Sequence, residues 1–269
     1  MKRLMMAIVA ALASACAFGD IADYIEGTVL TVPAGETVTA GADDAATVGT
    51  LTQVVFADAA GVFEMKDGTF AFAAAVSGAG TVKATDAAGL TVSGDSRGFT
   101  GGWLFSNSTV LVTSRYGLGD SETGEVVSYK GSAANPLSFS GAGCICDVPL
   151  HLYDRHALRP LDNGTDPLVF NSYVKFTHPT ETYAPVDLGY VRFDGGVRSG
   201  KWPQLYIEKG VEPYFNGVTS LNGTGSLEVA SPEIFVVVFV TLIVFLLSSD
   251  YFLIVKERKN GKQIFRSIM

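Results

Sequence analysis

The chain has 269 residues, of which 48% are apolar, only 17% are charged and 30 are glycine. This composition excludes a charge-rich disordered chain. The frequent glycines make a helical bundle improbable, because glycine is a poor helix former. Residues 20–233 contain 12 basic and 25 acidic residues, which gives this part a net charge of −13. Because phosphate binding needs a basic surface, we expect no nucleic-acid partner.

Residues 1–19 have the three parts of a secretory signal peptide. Lys2 and Arg3 precede an apolar run, and Ala17 and Gly19 supply small side chains for cleavage before Asp20. A second interpretation is a lipoprotein signal that ends at Cys16. Either one predicts export to the cell envelope, with the large acidic part outside.

Residues 20–131 are predicted to form short β-strands. Apolar, often β-branched stretches alternate with Gly, Asn, Asp and Ser at intervals of about ten residues, which is typical of all-β folds. Gly-x-Gly precedes an apolar stretch at three places, and we expect these glycines to mark repeated corners. The predicted corner residues are Gly78, Gly80, Gly141, Gly143, Gly223 and Gly225. For the second glycine of each pair, we expect a positive φ.

Residues 76–119 carry the most specific pattern. In order, the segment reads GAGTV from Gly78, GLTVSG from Gly89, FTGG from Phe99 and VLV from Val110. This order resembles the autotransporter-associated β-strand repeat, although Trp103 stands where that family has Thr. Residues 218–229 look like the opening of another copy. The resemblance implies a parallel β-helix of a bacterial surface protein, and it implies no chemistry because those repeats are scaffold.

The predicted fold is therefore an all-β, parallel β-helix or solenoid ectodomain with irregular coils, followed by one transmembrane helix. A β-sandwich ectodomain is the alternative. In a solenoid, apolar side chains two residues apart share the inner face, so Thr91 and Glu228 should face outward. The residues predicted to point inward are Val82, Leu90, Val92, Leu111, Leu118, Leu227 and Val229.

Residues 132–233 form a less regular β region that is rich in Tyr and Pro. Exposed aromatic rings on a β surface can stack on sugars, which makes Trp202, Tyr206 and Tyr214 candidate carbohydrate contacts. The alternative is that these rings are half-buried strand residues.

Cys144 and Cys146 leave two alternatives open. An even cysteine count in an exported chain suggests a disulfide, but residues i and i+2 of a strand lie at or beyond the usual distance limit for one. Two buried thiols are therefore the favoured alternative, ahead of a disulfide and of metal ligation. His151 and His156 lie near Asp147 and Asp154 in sequence, but no full zinc ligand set is apparent. We expect no metal and no cofactor.

Residues 234–255 are long and apolar enough for a transmembrane helix. The basic tail, residues 256–269, should stay in the cytoplasm, because positive charge is retained there. Two alternatives are a bacterial sorting tail that begins at Ser231-Pro232-Glu233, and a buried strand pair that turns at residues 248–250.

The sequence contains no nucleotide-binding loop or Ser/His/Asp pattern, so we predict a protein without enzymatic activity. The predicted function is a structural or adhesive cell-surface protein with a single membrane span, residues 234–255. Its expected partners are the membrane and either a surface glycan or another cell-surface protein. The alternatives are a carbohydrate-binding surface module and, in third place, a polysaccharide-active β-helix.

Overall fold

The protein is a parallel β-solenoid in which the chain winds repeatedly past three faces. A computed structural model describes residues 20–129, 137–153, 157–158, 160–161, 167–177, 186–188, 191–199, 204–207, 214–215, 226–229, 253–259 and 262–268. Side chains are described for most residues up to 198 and for none beyond. The predicted signal peptide and residues 230–252 lie outside the described residues.

The first face is one continuous parallel sheet, called the long sheet here. Its strands are β3 (Thr37–Ala40), β5 (Val62–Lys66), β8 (Thr81–Thr85), β10 (Gly102–Ser106), β12 (Val126–Tyr129), β15 (Leu150–Tyr153), β18 (Val174–Thr177) and β21 (Val197–Ser199). This sheet crosses the boundary expected at residue 131 without interruption. The parallel pairing excludes the β-sandwich alternative for this part of the chain.

The other two faces are each built from two sheets. On the second face lie β6 (Thr69–Phe72), β9 (Gly89–Val92), β11 (Val110–Val112) and β13 (Leu137–Phe139), then β16 (Ala157–Leu158), β19 (Val186–Leu188), β22 (Gln204–Ile207) and β24 (Ser226–Val229). On the third face lie β1 (Ile25–Glu26), β2 (Val29–Val32), β4 (Gln53–Phe56) and β7 (Ala75–Ser77), then β14 (Ile145–Cys146), β17 (Leu168–Phe170), β20 (Val191–Phe193) and β23 (Tyr214–Phe215).

The core consists of rows of apolar side chains that run across the coils. Val82 of β8 pairs in register with Phe63 of β5 and with Trp103 of β10, and all three are at most 1% exposed. Alternate residues of each strand point to opposite faces of a sheet, so the intervening side chains face solvent. Stacking the coils therefore buries the apolar rows that a single coil would leave exposed.

The predicted inner face is confirmed at four positions and wrong at one. Val82, Leu90, Val92 and Leu118 are buried, and Thr91 is on the outer face. Leu111 is not part of the core, because Val110 pairs with Leu90 and this register puts Leu111 beside Thr91 on the outer face. The side chains of Leu227, Glu228 and Val229 lie outside the described residues.

The corner between the long sheet and the second face is made by Asp or Asn. Asp67, Asp86 and Asn107 follow β5, β8 and β10, and each has a positive φ of 50–56°. The Asn107 side-chain amide donates to Asp86 Oδ1 at 2.6 Å, which links two coils. Asp and Asn tolerate this backbone conformation better than other non-glycine residues. The sequence pattern of glycine pairs had not indicated this corner.

The Gly-x-Gly pairs do lie in turns, but the expected roles of their glycines are wrong. The first glycine has the positive φ, 94° at Gly78 and 53° at Gly141, whereas Gly80 and Gly143 lie outside this φ range. A Cβ on Gly80 would overlap the Phe56 ring and come within 2.7 Å of the Gly61 carbonyl oxygen. The two pairs also occupy different corners, one before β8 and one before β14. Gly223 and Gly225 lie outside the described residues.

The first coil is covered at its free edge. A 3-10 turn, Ile21–Tyr24, buries Ile21, and β1 runs antiparallel to β2. A second 3-10 turn, Ala42–Asp44, leads into the short helix α1 (Ala45–Thr50), which packs against β6 and buries Val48. Such a cover blocks pairing of the exposed strand edge with another chain.

At the other end, two long strands form a hairpin. β25 (Leu253–Lys259) pairs with β24, and β26 (Lys262–Ile268) runs antiparallel to β25. The predicted membrane span lies outside the described residues except for its last three residues, which begin β25. Among the residues that the structure describes, no helix is long and apolar enough to cross a membrane.

Leu90→Ala tests the inward row. Leu90 is 1% exposed, so the truncation leaves a cavity and should lower the free energy of unfolding by about 2–5 kcal/mol. The matched control is Thr91→Ala on the outer face, for which we expect a change within about 0.5 kcal/mol. Urea unfolding measures both, and equal effects would contradict the register.

Gly80→Ala tests the close approach at the turn before β8. The added methyl group would overlap Phe56, and we expect a loss of about 1–3 kcal/mol in the free energy of unfolding. Gly89→Ala is the control, because its Cβ would meet only the Thr69 side chain, at ordinary distances of 3.4 Å to Cγ2 and 3.8 Å to Oγ1. A Gly80 variant as stable as the Gly89 variant would overturn this explanation.

Candidate functional site

The predicted carbohydrate residues do not share one face. Tyr206 lies in β22 on the second face, where it pairs with Asp187, and Tyr214 lies in β23 on the third face, where it pairs with Arg192. Trp202 is outside the described residues, as are the side chains of both tyrosines.

The structure instead brings polar and aromatic side chains together on the outer face of the long sheet. One outward row crosses β12, β15, β18 and β21, and it consists of Val127, His151, Lys175 and Arg198. A parallel row contains Tyr129, Tyr153 and Thr177, and Glu125 and Tyr173 flank the rows just before β12 and β18. We call this group of nine residues the outer patch. Its members are about 24 residues apart in the chain, so sequence proximity gave no sign of it.

Glu125 and His151 are the centre of the outer patch. His151 Nδ1 lies 3.4 Å from Glu125 Oε2, and His151 Nε2 lies 2.9 Å from Thr177 Oγ1. The Tyr173 hydroxyl donates to Glu125 Oε1 at 3.2 Å. These contacts join three successive coils, because Glu125 directly precedes β12, His151 lies in β15 and Thr177 lies in β18.

Burial controls the protonation of this group. His151 is only 6% exposed, although it is on the outer face. Burial lowers the pKa of His151 below its usual value, Glu125 opposes this effect, and Lys175 adds to it. His151 is therefore neutral at neutral pH. Burial also raises the pKa of Tyr153 and of Tyr173, with further contributions from neighbouring tyrosine and glutamate groups, so both remain protonated phenols.

Aromatic contacts hold the outer patch together. The Tyr129 and Tyr153 rings stack at 4.3 Å between centroids, and the His151 ring stacks on Tyr153 at 4.2 Å. The Arg198 guanidinium lies 3.6 Å from the centroid of the Tyr173 ring. This is a cation–π arrangement that fixes the position of the charge.

Glu125, His151 and Thr177 follow the order carboxylate, imidazole, hydroxyl, which is also found in nucleophilic triads. Acyl transfer further needs donors for an oxyanion and room for the acyl group beside the hydroxyl. The residues that follow Thr177, 178–185, lie outside the described part of the chain. We assign the three side chains the role that their contacts support, which is to join the coils.

Asp147 and His151 have separate partners. Asp147 accepts from Arg115 at 2.8 Å and from Asn171 at 2.6 Å, and these contacts lower its pKa against the opposing effect of burial. Asp154 and His156 lie outside the described residues. Within the described part of the chain, no three His, Cys, Asp or Glu side chains are grouped as a metal site would require.

A shallow depression lies beside β11 and β14, and it has no room for a water molecule. Its lining includes Val112, Arg115, Cys146 and Asp147. Ordinary small-molecule pockets enclose roughly 300–1,000 Å³, and this depression encloses far less. The flat outer patch, and not this depression, is therefore the candidate functional surface.

Cys144 and Cys146, both within the described part of the chain, are present as thiols. Cys144 ends the 3-10 turn Gly141–Cys144 and packs against the core, while Cys146 is buried in β14. Burial raises the pKa of Cys146 to about 12. The thiolate of Cys146 is therefore scarcely populated at neutral pH.

Comparison with family models, with curated proteins and with solved structures finds no match for this chain. The parallel solenoid that the repeat resemblance implied is present in the structure. The assignment to the autotransporter-associated repeat family has no support from a matching family model.

Alkylation tests the two thiols. In the folded protein at pH 8, iodoacetamide should modify Cys146 at least about tenfold more slowly than Cys144, because the thiolate is the reactive form and Cys146 is buried. In urea without reductant, both should react fully, as measured by mass spectrometry of the peptides. A requirement for reductant would instead reveal a disulfide.

Proposed function

We propose that this is a non-enzymatic, structural or adhesive cell-surface protein of the bacterial β-helix type, related to proteins with the autotransporter-associated repeat. Residues 1–19 direct export, residues 20–233 form the external solenoid, and residues 234–255 anchor it in the membrane. The basic charges of residues 256–269 support this orientation.

The observation that carries the proposal is how the solenoid uses its ionisable side chains. Lys83 Nζ lies 2.9 Å from Glu64 Oε1, which also accepts a hydrogen bond from Thr85 at 2.7 Å. Asp147 bridges Arg115 and Asn171 in the same manner. Each of these contacts joins two different coils, through strand residues at Glu64 and through residues that follow strands at Asp147. These groups therefore hold neighbouring coils together. A rigid scaffold of this kind suits a structural or adhesive role.

The hairpin at the end of the chain offers a competing arrangement. Pairing of β25 with β24 places residues 226–229 and 253–259 side by side, whereas a membrane crossing at residues 234–255 would separate them. The membrane crossing places the last residues in the cytoplasm, whereas the hairpin arrangement keeps them outside with the solenoid.

Protease accessibility distinguishes the two arrangements. In intact spheroplasts that produce the full-length protein, added protease should digest residues 20–233 and spare an epitope tag placed after Met269. Lysed spheroplasts are the control, in which the tag should be digested. Digestion of the tag in intact spheroplasts would contradict the proposed orientation and would favour the hairpin arrangement.

The second candidate function is a carbohydrate-binding surface module. The observation in its favour is the outward row of tyrosines on the long sheet, where Tyr129 is 39% exposed. Tyrosine offers an apolar ring with a polar edge, which suits the faces and hydroxyls of sugars. Trp202, Tyr206 and Tyr214 remain candidate contacts of the same kind.

A further inference from the structure

Two positive charges of the outer patch face each other without a carboxylate between them. Lys175 of β18 and Arg198 of β21 are paired in register, and both point outward because Val174, Phe176 and Val197 point into the core. Like charges directly opposite each other on neighbouring strands are destabilising. Arg198 has its contact with the Tyr173 ring, but placing a second cation opposite it adds repulsion, and a bound anion would explain this placement.

The other described cations behave differently. The structure describes seven Lys and Arg side chains, and five of these have a carboxylate oxygen within 4 Å. These five are Lys66, Lys83, Arg97, Arg115 and Arg192. Among the described residues, Lys175 and Arg198 alone lack such a contact, and they are adjacent. Residues 20–233 carry a net charge of −13. In a region with this excess of acidic residues, two adjacent cations without a carboxylate contact are unexpected.

The nearest acidic side chain of the outer patch is already engaged. Glu125 accepts from Tyr173 and lies beside His151. Arg198 is exposed, and its guanidinium lies over the Tyr173 ring; a guanidinium that stacks on a ring through its face can still donate hydrogen bonds from its edge. Lys175 and Arg198 start from neighbouring strands, whose backbones are roughly 4.8 Å apart, and two cations placed this close together can bind one anionic group.

The neighbouring row identifies the class of anion. Tyr129 and Tyr153 lie in the neighbouring outward row of the same sheet face, where their rings stack on each other and Tyr129 is 39% exposed. Cations next to tyrosines on a flat surface suit a sugar polymer with carboxylate groups, since the rings contact the sugars and the cations bind the carboxylates. A small anion would need none of these rings.

We propose that the outer patch, centred on Lys175, Arg198, Tyr129 and Tyr153, binds an acidic polysaccharide that carries uronate groups. The polymer lies across β12, β15, β18 and β21, with its carboxylates at Lys175 and Arg198. This inference rests on the proposed adhesive function, for which it names the ligand.

The test uses the full-length protein, purified in detergent, with polygalacturonate as the probe and with dextran as a neutral polysaccharide. Binding is measured by calorimetry at low and at high salt. We expect binding to polygalacturonate that weakens with salt, and no binding to dextran. The double variant Lys175→Gln/Arg198→Gln should bind polygalacturonate at least tenfold more weakly, and Tyr129→Ala/Tyr153→Ala should also bind more weakly.

The matched control is Arg97→Gln/Arg192→Gln, which removes the same charge from two ion-paired sites and should bind within twofold of the unaltered protein. Equal losses in the two double variants would mean that only the overall charge matters, and would overturn the proposal. Equal binding of polyglutamate would assign the patch to acidic peptides instead. Loss of binding in Trp202→Ala alone would move the site to residues 202–214.

The unfolding temperature of each variant separates binding from folding. Lys175→Gln/Arg198→Gln should unfold at about the same temperature as the unaltered protein, because the relief of repulsion offsets the loss of the contact between Arg198 and the Tyr173 ring. An exported protein that fails to bind polygalacturonate would overturn this inference and leave the proposed function standing. Binding of polygalacturonate by a protein that is not exported would support the ligand and overturn the proposed cell-surface function.

Discussion

Register between successive coils is the constraint on which the rest of this structure depends. In a parallel solenoid, each inward side chain packs against the residue that is paired with it one coil away. Phe63, Val82 and Trp103 form one such row, and a shift of one residue would turn every member to solvent. The indole of Trp103 shows how tightly this row is specified, because its N–H donates to the Leu118 carbonyl at 2.9 Å inside the core.

The same constraint explains the glycines at the turns. Coils that stack at strand spacing bring the backbone of one turn close to the side chains and carbonyls of the next. At Gly101, a Cβ would overlap the Gly80 carbonyl oxygen and the Phe99 ring. Phe99 in turn packs edge-on against Trp103 at 6.0 Å. Glycine is therefore needed at this turn because a Cβ would not fit. A positive φ is the reason for glycine at only some of the turns.

On the outer face, register converts distant residues into neighbours. Residues about 24 apart in the chain meet as Glu125, His151 and Thr177, or as Lys175 and Arg198. Most such meetings are favourable and fasten the coils, as Glu64 does with Lys83. The pairing of Lys175 with Arg198 instead places two like charges on neighbouring strands, and for this reason it is the part of the surface most informative about a ligand.

The sequence by itself determined the class of this fold and much of its inner face. Short apolar strands between turn residues predicted the solenoid, and the two-residue alternation of Leu90 and Val92 placed both correctly in the core. Tertiary structure alone decided the position of Leu111, the corners at Asp67, Asp86 and Asn107, and the outer patch. The physical reason is that alternation fixes which residues of one strand share a face, whereas the pairing register between strands depends on packing between coils that are more than 20 residues apart in the chain.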